Sequence, residues 1–499
     1  MPTTPNSSGA VSLEHICSLE DVFHRHLLPF LSHTDAGRLE SVSQTLRSSL
    51  QANNMEAWKI LCDRDFRGSA TTPSAPVYSD EKESFDDILP QQNWKHAYQK
   101  WSFWKEYTAG GSTAQHMMQA VKLWKTYKQL LEDMGMHNIL ESLSNCLSRH
   151  VFRELVDKKL PSSLIAFFSV HGGQLPLRPR AQDHEFFAGL FGSYSCYNNF
   201  YSMRLLNMED FIDNATNLPS MTLIGISPGN PRMFLYLVAP NPEDDNDNND
   251  DNNSDSYDPE GTIVMVHNNP LSSQSIQAQH STVGRGGILS YFQSFIERLQ
   301  DGTYKPCQVI PESPSSRGFG LFPDAGDQVS ICVTRGIEVK ASARWFPGGI
   351  MDQVTGGGMN FGYSVRIQKV IPEDNNNNAD IPETCQLVGR HLEFMNGNGN
   401  VRRVDGDGVI GKQPLFFLEN GKSGFVDLGV GGDGRRYSDE VFVYQSQSGP
   451  VEGTTRQDTG SASVTGTFSF VPGSIDDPTG PMFHVTVGKF PFQVPFPFY

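Results

Sequence analysis

From Ile331 to the end of the chain, the apolar residues stop recurring every three or four positions and alternate instead, in short runs divided by Gly, Asn and Pro. The runs are 337–345, 361–368, 386–394, 441–444, 466–470 and 483–487. A strand has a side-chain period of two, so runs of this kind put one face into a core and the other into water. Six of them separated by turn formers predict an all-β sandwich. Within 395–401 the pairs Asn396-Gly397 and Asn398-Gly399 predict a tight hairpin, because Asn and Gly tolerate positive φ.

That region is the last third of a 499-residue chain, and domains of roughly 100–200 residues put about three in this length. The net charge of −17 argues against a nucleic-acid surface, which needs clustered Lys and Arg. About half of that charge lies in 241–260, a run with nine acids and no Lys or Arg. Its flanks, 233–239 and 262–266, are apolar and strand-like, which predicts a long solvated hairpin loop. Calcium ligation there lacks the glycine turn and closing Glu at the required offsets. The seven cysteines show no CxxC spacing and read as free thiols in a reducing compartment, cytosol or nucleus. No apolar run approaches 18 residues and the first residues have no signal-peptide pattern, so neither a membrane span nor secretion is expected.

Residues 1–14 are expected to be disordered. From Leu19 to Phe66 the apolar residues fall at helical spacing in three short segments, through Leu19, Phe23, Leu27, Leu28 and Leu31, then Leu39, Val42 and Leu46, then Trp58. So small a helical set either forms a minor core or leaves apolar surface for a partner. The string 19–66 resembles the F-box: a Leu-led helix with an aliphatic pair, an Asp-led second helix at Asp35, and a closing Trp58-x-x-Leu61. Leu19-Glu20 stands where the usual opening is Leu-Pro, and Pro29 predicts a kink late in the first helix. The resemblance implies docking on a Skp adaptor through the nine positions from Leu19 to Trp58 named above.

Residues 67–117 read as a linker followed by an aromatic helix carrying Trp94, Trp101 and Trp104. A helix over about 118–145, through Val121, Trp124, Tyr127, Leu130 and Leu131, is expected to cover a sheet. Another is expected after Pro161, stopping at Gly172-Gly173. The string 159–177 with 190–211 resembles the SUKH (Smi/Knr-type) family, which implies a protein-binding α/β domain over 118–310. His171, at the end of that helix, reads as a cap or a packed ring rather than a base. Residues 311–327, rich in Pro, Gly and Ser, read as a linker.

The segment 385–416 carries Gly389-Arg390, the NGNG hairpin, the GDGVIG run at Gly406, Gly408 and Gly411, and Gln413-Pro414. It resembles the ApaG family, and with later strings the resemblance covers 328–499. GDGVIG fits GxGxxG, but Pro414 and the apolar strand-like run behind it leave no helix to receive a pyrophosphate. Two readings stay open: glycines serving a tight turn, or an anion site built from Arg402, Arg403, Lys412 and the amides near those glycines.

The whole therefore resembles F-box proteins with SUKH-like and ApaG domains, of the F-box only protein 3 type. The fold class expected is multidomain α+β: a three-helix F-box at 15–66, an α/β middle domain and an immunoglobulin-like sandwich. The resemblance implies a non-catalytic, substrate-recognition subunit of a cullin-RING ubiquitin ligase, with the adaptor, the ligase and an unidentified protein substrate as partners. No metal, cofactor or catalytic residue is called for, and no nucleophile elbow, P-loop or Ser/Cys-His-acid grouping stands out. Two alternatives remain: a small-molecule site gathering His391, Glu393, Asp405 and Asp407 in one pocket, and a scaffold without a ligase role.

Overall fold

The computed structural model describes residues 111–144, 151, 155, 160–175, 188–196, 199–208, 221–226, 233–238, 262–267, 281–284, 287–310, 313, 315–346, 359–371, 381–452 and 462–493. The chain divides into two units, 1–122 and 123–499. The expected disordered start, the F-box positions Leu19 to Trp58, the linker after Phe66 and the tryptophans 94, 101 and 104 lie outside the described residues. All of the described strands belong to the second unit.

Helix α1, Gly111–Asp133, turns Trp124, Tyr127 and Leu131 inward at three- and four-residue spacing. It ends because Gly135 takes φ 65° and the Met136 amide donates back to the Leu131 carbonyl over 2.7 Å. That left-handed stop divides the single helix expected over 118–145, and the short α2, His137–Glu141, comes after it. The inward face also differs from expectation. Trp124 lies against Phe167 (ring centroids 5.0 Å) of α3, Ser162–Val170, and Phe292 (4.8 Å) of α4, Gly287–Gln300. Tyr127 does reach a strand, at Phe319 (6.4 Å), so the helix covers two aromatic helices before it covers any sheet. The Trp124 indole N–H donates to the Phe167 carbonyl and the Tyr127 hydroxyl to the Leu190 carbonyl, which satisfies both polar ends inside the core.

Helix α3 begins directly after Pro161 and ends before Gly172-Gly173, as its punctuation predicts. His171 is a packed ring, edge-on to Trp124 at 4.8 Å, with Nδ1 2.9 Å from the Ser144 carbonyl oxygen. Three residues on, Gln174 is a buried polar hub. Its Oε1 accepts from the amides of Leu190 and Leu205, and its Nε2 donates to Ser142 Oγ and the Ala188 carbonyl. All four hydrogen-bonding positions of that amide are filled.

Two sheets complete the middle region. Strands β1 (Ser193–Cys196) and β2 (Asn199–Ser202) join β8 (Lys305–Gln308) and β9 (Arg317–Gly320) in the order β2-β1-β9-β8. Strands β3 (Arg204–Leu205), β4 (Met221–Ile226), β5 (Met233–Val238), β6 (Thr262–His267) and β7 (Ser281–Gly284) form an antiparallel sheet in chain order. Val238 pairs with Thr262, so β5 and β6 form the expected hairpin around the acidic run, which itself lies outside the described residues.

The stretch 311–327 is more than a connector. Strand β9 falls within it, and Phe319, Leu321 and Phe322 are buried. Their apolar side chains give the segment a reason to pack that its Pro, Gly and Ser content conceals. Asp324 then ties it to the strands on either side: it accepts from Lys305 (2.8 Å), Lys340 (3.3 Å) and Arg366. Nearby, the Arg344 guanidinium lies 4.5 Å over the Tyr194 ring of β1.

The sandwich begins at β10 (Val329–Thr334), β11 (Ile337–Phe346) and β12 (Met359–Lys369). It continues through β13 (Thr384–Met395), β14 (Val401–Asp407), β15 (Leu415–Glu419), β16 (Lys422–Val426) and β17 (Arg436–Ser438). Strands β18 (Phe442–Val451), β19 (Ser463–Pro472) and β20 (Phe483–Pro491) close it. One sheet runs β10-β11-β12-β18, the other β17-β16-β15-β13-β19-β20, with β14 added on β13. Between them Phe416 meets Phe442 (6.0 Å), Tyr444 meets Phe468 (6.2 Å) and Tyr363 meets Phe394 (5.8 Å). The structure is mostly β, with few helices among the described residues.

Candidate functional site at the hairpin end of the sandwich

The β13–β14 turn is built by its own Asn residues. Asn396 Oδ1 accepts from the amides of Asn398 and Asn400, and the positive φ falls on Gly399 at 82°. The Gly397 amide donates to the Glu452 carbonyl, which fastens the tip to the end of β18. Behind the tip is a cavity of about 260 Å³, with Phe394, Met395, Val401, Val451 and Phe492 as apolar walls and Asn396, Arg402 and Glu452 among the polar ones. Arg402 donates to the Ser448 carbonyl over 2.6 Å while its guanidinium sits 5.2 Å from the Phe394 ring. Pockets for drug-sized ligands usually start near 300 Å³, so this one suits a single side chain of a docked segment better than a cofactor.

The GDGVIG segment joins strand β14 to strand β15, with no helix between them. Gly408 (φ 55°) and Gly411 (φ 79°) turn the chain, and the Arg390 guanidinium holds the turn through the Gly408 carbonyl at 2.7 Å. The three cations expected to share an anion site are not brought together. Arg402 faces the cavity, Arg403 pairs with Glu393 at 2.9 Å on the exposed side of the same strand, and the half-buried Lys412 pairs with the buried Asp427 at 2.9 Å. Gly408 and Gly411 therefore serve the turn, whereas Gly406 lies within β14 opposite Arg390, whose guanidinium passes where a Cβ would stand. Ile410 also stands at φ 45°, a strained conformation for a β-branched residue, with its side chain partly exposed.

The carboxylates and imidazole imagined in one pocket lie instead along an open sheet face. His391 Nδ1 is 2.8 Å from Asp405 Oδ1, Glu393 is taken by Arg403, and Asp407 stands opposite Gly389. The structure adds two residues that spacing did not suggest. His391 Nε2 is 3.1 Å from Ser469 Oγ, which is 3.2 Å from His484 Nδ1. Asp405, His391 and Ser469 thus follow the bonding order of an acyl-transfer triad, a grouping the sequence did not disclose. Ser469, however, is 3% exposed, lying mid-strand under two imidazole rings, without the open approach an acyl acceptor needs. No group of three or more His, Cys, Asp or Glu could hold a metal ion among the described residues. No described helix is long and apolar enough to cross a membrane.

Comparison with known proteins finds sequence matches both in the last third of the chain and over most of its length. Residues 353–423, which include the hairpin and the GDGVIG turn, match the ApaG domain family. The chain is 26% identical over 471 residues to the F-box protein SKIP16 of Arabidopsis thaliana, covering 92% of this chain and 94% of that protein. Protein ApaG of Xanthomonas axonopodis pv. citri is 41% identical over 70 residues, 14% of this chain and 46% of that protein. Among solved structures, an ApaA protein from Bordetella pertussis aligns with 32% of this chain and 94% of its own, at 23% identity and a TM-score of 0.21.

Proposed function

We propose that the chain is the substrate-recognition subunit of an SCF-type cullin-RING ubiquitin ligase, working in cytosol or nucleus. The observation that carries this is the alignment with an F-box protein over 92% of this chain and 94% of that protein, together with the match of 353–423 to the ApaG domain family. In this reading the apolar positions Leu19, Phe23, Leu27, Leu28, Leu31, Leu39, Val42, Leu46 and Trp58 dock the Skp adaptor. The SUKH-like middle domain and the sandwich hold the protein substrate. The chain supplies no chemistry to the transfer: it positions a substrate beside a conjugating enzyme held by other subunits, so its contribution is proximity. The Asp324 cluster supports that role, since it fixes the middle region to the sandwich and lets two surfaces present one substrate in a constant orientation.

The test is co-purification of the full-length chain with a Skp adaptor, beside a Leu27→Ala/Leu31→Ala/Trp58→Ala variant whose remaining fold is checked by thermal melting. Capture by the wild type and not by the variant is the expected result. Failure of the wild type to capture the adaptor would overturn the proposal.

A further inference from the structure

Strand β14 is an outer edge of the large sheet: it pairs with β13 and, among the described residues, with no other strand. The Asn396 amide donates to the Asn400 carbonyl at one end of this pairing, and the Gly408 amide donates to the Val388 carbonyl at the other. The seven residue pairs between those ends keep one register. The even-numbered residues of β14 therefore direct their backbone groups to β13, while the amides and carbonyls of Val401, Arg403, Asp405 and Asp407 point outward along the open edge. Neither a proline nor a bulge, the devices that commonly blunt such an edge, interrupts the strand. The side chains alternate in the same rhythm. Arg402 faces the cavity behind the hairpin, which it lines together with Ser448 and Val451 of β18. Arg403 and Asp405 lie on the opposite face, 75% and 65% exposed.

From this geometry we infer, on the substrate-recognition reading, that the outer edge of β14 docks an extended, basic segment of the protein substrate. The segment adds to the sheet as a further strand and turns one apolar side chain toward the cavity. Donors and acceptors repeating along a strand edge are matched by the backbone of another strand. The charge of the partner follows from the outer face, where Glu393, Asp405 and Asp407 stand with Arg403, three carboxylates to one guanidinium. Arg403 is bonded to Glu393 and Asp405 to His391, so Asp407 and the remaining oxygens of Asp405 meet the incoming cation. Side chains of the added strand that lie opposite Arg403 and Asp405 share that outer face, which places lysine or arginine there. The side chain opposite Arg402 shares the inner face instead. An aliphatic group at that position is directed toward the apolar walls formed by Phe394, Val451 and Phe492.

The test uses the purified full-length chain without adaptor or ligase, so its failure leaves the adaptor result untouched. Peptide binding beside failed adaptor capture would in turn sink the ligase reading and keep the docking edge. The probe is a fluorescein-labelled peptide, Lys-Leu-Lys-Thr-Lys-Thr-Lys, as long as β14, and binding is read by fluorescence anisotropy. Saturable binding that weakens with added salt is expected, and exchange of every lysine for glutamate should abolish it. Methylating the backbone nitrogens of the lysines, which face β14 in this arrangement, should weaken binding roughly tenfold. Methylating those of the leucine and threonines should not, and threonine in place of the leucine should weaken binding through the cavity. Arg403→Pro should lose the peptide, because its amide points outward and edge strands tolerate proline. Asp405→Lys/Asp407→Lys replaces two exposed side chains, should melt like wild type, and should prefer the glutamate peptide. No saturable binding of the lysine peptide, equal losses from the two methylation patterns, no effect of replacing the leucine, or an unchanged preference in the double variant would overturn the site.

Discussion

Asp324 receives the Arg366 guanidinium, and that contact fastens the stretch after β9 to the middle of β12. Arg366 also donates to the Pro323 carbonyl (2.8 Å) and Ser342 Oγ (2.9 Å), so one side chain spans the seam. Burial alone would raise the Asp324 carboxyl. The Lys305 hydrogen bond and the charges of Arg366 and Lys340 outweigh it and hold the group below the usual carboxylate range. A depressed folded value makes the contribution fully present above the unfolded value near 4 and lost as pH falls through the folded one. Asp324→Asn should therefore lower the unfolding free energy read from urea titration at pH 7 by about 2 kcal/mol for a partly buried cluster. The gap from wild type should narrow as the pH falls from the unfolded value near 4 through the lower folded one. A gap that stays the same size throughout that fall would show that the residue acts by shape and not by charge.

The glycine turn makes a second prediction. A Cβ on Gly408 would lie 2.2 Å from the Lys412 carbonyl oxygen, and φ is 55° there. On Gly399, φ is 82° but nothing lies within 4 Å. Gly399→Ala should cost only the backbone preference, about 1 kcal/mol, whereas Gly408→Ala should cost well beyond that, because backbone has to move. Equal unfolding midpoints for the two variants would contradict a turn whose glycine at 408 is required by close approach.

How much of this was legible in the sequence depended on the range of the signal. Ile337, Val339, Ala341, Ala343 and Trp345 alternate inward with at most 3% exposure, so the run expected at 337–345 is β11 almost residue for residue. Period-two patterning is local, and so are the NGNG turn and the stop of α3. Edge strand β10 shows the limit: Ile331 and Val333 alternate correctly but point outward, 54% and 52% exposed, because alternation carries no phase. Longer-range relations left no trace. Arg366 lies 42 residues from Asp324, and Ser469 lies 78 from His391. Register shifts, as between Leu387 and Gly389 opposite β19, decide which side chains share a face, and no spacing rule reports them.

Gln174 offers a third prediction. It is 2% exposed and its amide satisfies the backbone N–H groups of Leu190 and Leu205 while donating to Ser142 and Ala188. Gln174→Leu keeps the approximate volume and removes every partner at once. Two buried amides would be left without acceptors, at about 1–3 kcal/mol each. Gln174→Glu should be milder at low pH, where a protonated carboxyl can still accept both amides and donate once. Hydrogen exchange at the Leu190 and Leu205 amides should accelerate in the Leu variant, and unchanged protection would show that other acceptors take over.

The sandwich core provides the last prediction, because it separates the ApaG domain's stability from its surface. Phe416 is fully buried on β15, with Phe442 of the facing sheet at 6.0 Å and Phe470 of β19 at 5.8 Å. Removing its ring leaves a void that rigid strands cannot close, and Phe416→Ala should cost about 3–5 kcal/mol. Val430 projects fully into solvent at the tip of the neighbouring loop, and Val430→Ser should be neutral for stability. If the hairpin-end cavity holds a substrate side chain, Val451→Trp, which fills it from its buried apolar wall, should weaken substrate capture in the assembled ligase. That variant should leave adaptor capture unchanged, because the adaptor is assigned to the residues before Phe66. Phe416→Ala should reduce substrate capture by unfolding the domain, and comparison of melting curves tells the two causes apart. A Val451→Trp protein that melts like wild type and captures substrate like wild type would remove the cavity from the recognition surface.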